Sequence, residues 1–270
     1  MAYSLRSASN YTTAELATLF NRGFEDYFIP ISFMPDAFEI FLKRDEIDLT
    51  LSRVLLKDDE PIGLGLMSSR GGNVSRLAAM GIAKELRGQG AGTWLVDALL
   101  KEARARGYEK MLLEVIYENE AAIHIYEKFG FKKLRRLYGF MVGNPAGEPD
   151  KGLASCDLDL VLEKAMTSAI PNLPWQVDAE TLRKNPAGAF GFTLGKSYIV
   201  ISDPEKEHAG IRLLVSEDGS EEALLKAIFA KYPEKIWHVP AIFPEEQADI
   251  FESVGMQKDD ISQWQMMLEL

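Results

Sequence analysis

The sequence predicts an α/β (α+β) fold: a mixed, mostly antiparallel sheet flanked by helices, followed by a smaller carboxy-terminal domain of the same plan. Three observations predict it. Early in the chain, β-type segments are joined by short polar turns, which makes antiparallel hairpins. From residue 74 onward, strands alternate with amphipathic helices, which makes crossovers. The order then recurs, with Lys110 to Gly130 and Lys235 to Gly255 each spanning twenty residues, and Tyr126 and Phe251 each four before the glycine.

In chain order, residues 4–7 read as a short strand, and Thr12-x-x-Glu15 is a capping-box pattern opening a helix with apolar Leu16, Leu19 and Phe20. An aromatic loop, FEDYFIPISFMPD, leads to a second helix from Pro35, proline being favoured at the first helical position. Residues 50–56 and 62–69 form two strands around the turn KDDEP, and Gly71-Gly72-Asn73 turns into a third strand over 74–82. The segment RGQGAG introduces the strongest helix, TWLVDALLKEARARG, whose basic end and glycine are a helix stop. Residues 110–116 read as a buried strand, 119–129 as a helix, and 131–142 and 154–163 as strands around a loop rich in Gly and Pro. Residues 168–174, with two prolines, are the expected linker between domains at 1–167 and 175–270. The second domain offers strands AFGFTL, SYIVIS and GIRLLVS, helix SEEALLKAIFAKY, strand KIWHV, helix EEQADIFESV and strand QWQMMLEL.

Composition bounds the function. The 270 residues are 47% hydrophobic, enough for cores without staples, and the net charge of -11 argues against a nucleic-acid binder, which needs a basic face. A single cysteine, Cys156, forms no internal disulfide, and His124, His208 and His238 are scattered, so no metal is expected. Neither a leader nor an uninterrupted apolar run of membrane-spanning length appears, so a cytoplasmic location without membrane contact is expected.

Arg87-Gly88-Gln89-Gly90-Ala91-Gly92-Thr93 follows a strand and precedes a helix, where unpaired backbone amides and the helix dipole favour an anion. Arg87 offers a forked charged donor. The Walker pattern fails because Thr93-Trp94 follows Gly92, and the dinucleotide fingerprint fails because the glycines read G-x-G-x-G after several strands. The turn resembles instead the Arg/Gln-x-x-Gly-x-Gly/Ala signature of the GNAT N-acetyltransferase superfamily, through Arg87, Gly90 and Gly92. The run LEVIYENEAAIHIYEKFGF resembles that family's second conserved half, through Asn119, Ala122, Tyr126, Gly130 and Phe131. The Glu-Val pair with Asn119 and Tyr126 is similar to the ribosomal-protein N-terminal acetyltransferase branch. One departure is Lys84, where a proline often stands.

The resemblance implies acetyl-coenzyme A as co-substrate, bound by Met80, Gly81 and Ile82 through their backbone, by the turn 87–93, and by Asn119 and Tyr126. It implies attack by an amine on the thioester carbonyl, with a base for the amine's proton and an acid for the departing thiolate. Glu114, a lone charge in the strand LLEVI, is the candidate base, or else a strand residue facing water. Tyr126, two helical turns after Asn119, is the candidate acid, or else core packing. In the aromatic loop, Glu25, Tyr27, Phe28 and Phe33 are candidate acceptor contacts, unless the aromatics only pack the helices together.

The expected partner is an amine-bearing acceptor, a small molecule or a peptide amino terminus, and the chain is expected to be a monomer or homodimer. In the second domain, Ser216-Glu217-Asp218-Gly219-Ser220 replaces RGQGAG and Phe251 replaces the candidate acid, so this half reads as a degenerate copy. Two functions fit: an acetyltransferase, or an acetyl-coenzyme A binding sensor without turnover.

Overall fold

The computed structural model describes residues 3–167 and 170–270. The chain divides into two compact units, Met1–Leu134 with Trp264–Leu270, and Arg135–Gln263.

In the first unit, Thr12 caps helix α1 (Thr13–Gly23) as its sequence requires. Glu15 N donates to Thr12 Oγ1 at 3.2 Å, and Thr12 N donates to the Glu15 carboxylate at 2.7 Å. Helix α2 (Pro35–Arg44) starts on its proline. Strands β1 (Tyr3–Ser7), β2 (Arg53–Lys57), β3 (Glu60–Ser69) and β4 (Val74–Ile82) pair antiparallel in succession, as the hairpin turns predict. Helix α3 (Ala91–Ala105) then crosses over, so β5 (Lys110–Ile116) returns parallel to β4, and helix α4 (Glu120–Lys128) follows.

Alternation along the strands divides the apolar side chains between two cores. On β2, Val54 and Leu56 pack under α1 and α2 with Phe20, Phe38 and Phe41, while Leu55 packs beneath α3 with Leu95 and Leu99. Beyond β5, the sheet of this unit is completed by residues of strand β12 (Gln257–Glu269), whose Met266 and Leu268 are buried in the α3 core. Leu270 N donates to Glu109 O at 2.7 Å.

The second unit repeats the plan. Strand β6 (Lys132–Gly143) pairs antiparallel with β11 (Ile236–Pro244), and β11 pairs parallel with β10 (His208–Ser216). Strands β9 (Ser197–Ser202), β8 (Ala189–Leu194) and β7 (Ala154–Cys156) follow, all antiparallel. Helices α5 (Leu158–Met166) and α6 (Ala179–Lys184) cover one face, and α7 (Glu221–Lys231) and α8 (Ala248–Ser253) the other. The parallel pairs β4·β5 and β10·β11 are both short and both bridged by a helix, which matches the twenty-residue repeat.

Two expectations need correction. The strand expected over 154–163 ends at Cys156, and α5 begins after Asp157, whose side chain accepts from Asp159 N at 3.0 Å. Val161, Leu162 and Ala165 recur at helical spacing and bury one stripe of α5. The expected domain boundary near 167–174 is not where the units divide. They divide inside β6 and inside β12, because β6 joins β11 from Gly143↔Ile236 to Leu137↔Pro244 while the residues from Trp264 fill the first core. Of the expected linker, Ser168 and Ala169 lie outside the described residues, and Pro171 belongs to the second unit, where its carbonyl accepts from Arg135 Nη2 at 2.7 Å. No helix among the described residues is long and apolar enough to cross a membrane.

Candidate active site

Parallel pairing of β4 and β5 runs from Val74↔Lys110 to Leu77↔Leu113, while β4 continues to Ile82 against β3. At this end of the sheet lies a cavity of about 340 Å³. Its walls are Met80, Gly81 and Ile82 of β4, Arg87, Gly88 and Gly92 of the glycine turn, Asn119, Ala121, Ala122 and Ile125 of the α4 region, and Gly23, Phe24, Asp26, Tyr27 and Phe28. Both sequence signatures therefore converge on one space.

The turn is shaped for an anion. Gly88 and Gly90 adopt φ of +73° and +86°, and a Cβ at either would meet no atom within 4 Å. Trp94 N donates the first bond of α3, to Gly90 O at 2.9 Å, so the amides just before it lie outside the helical ladder. No acidic side chain occupies the first turn. Gly92 faces the cavity beside Ile125, whose Cδ1 would lie 3.4 Å from a Cβ there, in ordinary contact. Gln89, Gly90, Ala91 and Thr93 do not line the cavity, and Ala91 is buried beneath α3. A pyrophosphate on this turn, with an apolar arm running along Met80 to Ile82, fits both the open glycine surface and the mostly apolar cavity.

Arg87 departs from its expected use. Its Nε donates to Ile82 O at 3.0 Å, and its Nη2 donates to Gly23 O at 3.0 Å and to Glu25 O at 2.8 Å. Close packing brings these carbonyls within reach, for a Cβ on Gly23 would lie 3.0 Å from the Gly81 carbonyl carbon.

Glu114 does not line the cavity. Its Oε2 accepts from Nε and Nη2 of Arg76, both at 2.8 Å, and Arg76 Nη1 lies 3.5 Å from Asp45 Oδ1. The side chains are 5% and 2% exposed, so this is an interior ion-pair cluster. Burial pulls the Arg76 guanidinium down, and the Glu114 and Asp45 carboxylates more than reverse it.

Tyr126 is buried, edge-on to Phe131 with centroids 5.6 Å apart, and does not line the cavity. Its phenol is raised well above the usual tyrosine range by burial and, secondarily, by nearby Tyr27. Tyr27 does line the cavity; burial raises its phenol too, against a hydrogen bond with the Asn119 side chain. Asn119 also caps α4, its Oδ1 accepting from Ala122 N at 3.2 Å. Two phenols and one amide thus gather at the α4 side.

The other acceptor candidates separate. Phe28 lines the cavity and is 48% exposed, whereas Phe33 is stacked on Phe41 in the helix core with centroids 5.1 Å apart. Asn21 pins Phe33 from both sides, Nδ2 donating to its carbonyl and Oδ1 accepting from its amide, each at 2.9 Å. Glu25 contributes its carbonyl rather than its carboxylate, and Asp26 is ion-paired with Lys84. The sequence reading missed Gly23, Ala121 and Ile125; Ile125, three and four residues after Ala122 and Ala121, shares their helical face.

In the second unit, the turn before α7 holds its own anion. Asp218 accepts from Lys196 N at 2.8 Å and from Ser220 Oγ at 2.6 Å, and these bonds, the serine's first, pull its carboxyl down to about 2. Phe251 sits in the core against Phe140.

The profile of the acetyltransferase (GNAT) family matches residues 13–131. N-alpha-acetyltransferase 30 of Schizosaccharomyces pombe is 42% identical over 64 residues, 24% of this chain and 43% of that protein, so the match spans less than half of the relative's length. A GCN5-related N-acetyltransferase structure from Sphaerobacter thermophilus shares the fold with a TM-score of 0.69 at 16% identity, covering 99% of this chain and 95% of that one. A tandem GNAT protein from the clavulanic acid biosynthesis pathway does so at 0.62 and 11% identity, covering 99% and 98%. With its glycine turn and α4 signature on one cavity, the segment 13–131 is what carries the match to the acetyltransferase (GNAT) family.

Proposed function

We propose that the first unit transfers an acetyl group from acetyl-coenzyme A to a primary amine, by direct attack in a ternary complex. The observation that carries this reading is the single cavity shared by the glycine turn, the free end of β4, α4 and the aromatic loop. When bound, acetyl-coenzyme A supplies the activated acyl group as a thioester. The glycine turn, which meets the cavity at Gly88 and Gly92, would hold its pyrophosphate, and the backbone of Met80, Gly81 and Ile82 would align the pantetheine arm and polarise the acyl oxygen.

Tyr126 is the acid. A phenol is protonated at neutral pH, and burial, with nearby Tyr27, raises this one further, so it can give its proton to the departing thiolate. The amine's proton leaves to water at the mouth, because the one carboxylate on the lining, Asp26, is engaged by Lys84 and Glu114 is engaged by Arg76. The acceptor is a peptide α-amine or a small amine, entering past Tyr27 and Phe28. The likeness to an N-alpha-acetyltransferase over 64 residues favours the peptide.

Thiol release with a panel of amines and amino-terminal peptides, alongside calorimetric titration with acetyl-coenzyme A, tests this. Binding with amine-dependent release is expected. Binding with no release across the panel would make the chain a sensor of the cofactor instead.

A further inference from the structure

We infer that Arg87 and Lys84 are positioning residues for the acceptor, which fasten the acceptor loop to the segment that carries the cofactor turn. Three of the five N–H donors of Arg87 are spent on main-chain carbonyls. One belongs to β4 at Ile82, and the other two are Gly23 and Glu25, at the start of the loop. Only a planar fork can reach three carbonyls on two separate segments at 2.8 to 3.0 Å. Lys84, two residues beyond Ile82, adds an ion pair to Asp26, which holds the αL backbone at φ +55° that turns the loop towards the cavity. At its far end the loop is held independently, by Asn21 on Phe33.

The fastening is therefore two-sided, and its near side is built from the chain immediately before Gly88. Tyr27 and Phe28, which line the acceptor side of the cavity, lie one and two residues beyond Asp26. Their own contacts stay within the loop and α4: Tyr27 packs edge-on to Phe24 and Phe28, with centroids 5.1 and 5.4 Å apart, and meets Asn119, so the near fastening of residues 23–26 sets where this cluster sits. A residue whose signature position suggests phosphate binding thus sets acceptor affinity.

The kinetic part of the test rests on the acetyltransferase reading; the exchange part does not. In the full chain without cofactor, amide hydrogen exchange over residues 24–32 is compared for wild type, Lys84→Met, Arg87→Gln and Arg87→Lys. All three variants are expected to exchange faster there, with the α3 and β5 amides unchanged. Wild-type exchange in the loop for Arg87→Lys would show that charge, not the fork, is what matters, and would overturn the inference. Where turnover is measurable, the acceptor KM is expected to rise on the order of fivefold for Lys84→Met, the scale of one exposed ion pair. The Kd for acetyl-coenzyme A should stay within about twofold. A weakened Kd with an unchanged acceptor KM would overturn it as well. Absent turnover with accelerated loop exchange would instead count against the acetyltransferase reading alone.

Discussion

Arg76 and Glu114 meet inside the first unit, and neutralising one member of such a pair leaves the other charge buried with less to compensate it. Glu114→Gln is expected to cost about 3 kcal/mol of stability, read as a lower denaturant midpoint at unchanged slope. The pH dependence of kcat/KM is expected to keep its wild-type midpoint, and that midpoint should move with the pKa of the acceptor amine across a series. A shifted profile in Glu114→Gln would restore Glu114 as the base. The two phenols interact through space, so Tyr27→Phe and Tyr126→Phe should be non-additive in kcat, which a double-mutant cycle measures. Tyr126→Phe alone should lower kcat with little change in cofactor Kd. Asp218 titrates in the second unit with its folded pKa depressed to about 2, so its contribution is complete above about pH 4 and is lost as pH falls through 2. The Lys196 and Ser220 amides that it binds should keep their chemical shifts at pH 3, and a midpoint near the ordinary aspartate value would refute the arrangement.

At the scale of elements, the glycine turn owes its shape to backbone conformations that a side chain resists, yet there is open space beyond its Cα positions. Gly90→Glu is therefore expected to fold, at a cost of about 1 kcal/mol for the left-handed conformation, while raising the acetyl-coenzyme A Kd more than about 100-fold by placing an anion where the pyrophosphate sits. This element was legible in the sequence because everything that defines it is local: glycines, a strand before and a helix after. The capping box at Thr12 and the start at Pro35 were legible for the same reason. Where the reading failed, the deciding information was elsewhere. The strand expected over 154–163 is helical from Leu158, where Val161, Leu162 and Ala165 recur at helical spacing. The partner that removes Glu114 from the cavity stands 38 positions earlier, on a neighbouring strand. Arg87 was matched correctly to its signature, but the carbonyls it binds arrive through a glycine-to-glycine approach of α1 on β4 that no local pattern encodes.

For the molecule as a whole, repetition was legible and the strand assignment was not. Period-two alternation says that a segment is a strand, not which sheet it joins, so β6 and β12 looked like members of the halves that precede them. Removing residues from Trp264 onward takes Met266 and Leu268 out of the first core, each worth roughly 2 to 5 kcal/mol. Such a deletion is expected to abolish acetyl-coenzyme A binding although no cavity-lining residue is lost. Near-native binding by residues 1–263 would contradict this. An isolated fragment 1–167 is expected to fail for the same reason.

The completion of the first sheet by β12 also sets an order in time. A ribosome that has reached Leu134 has synthesised nearly all of the first unit, but Trp264, where that unit resumes, lies 130 positions further on. At roughly 5 to 20 residues per second, the nascent unit waits on the order of ten seconds for its closing strand, with the free edge of β5 exposed. Folding of the first unit is thereby tied to completed translation of the second, and chains that stall in between carry an open sheet edge that invites chaperones.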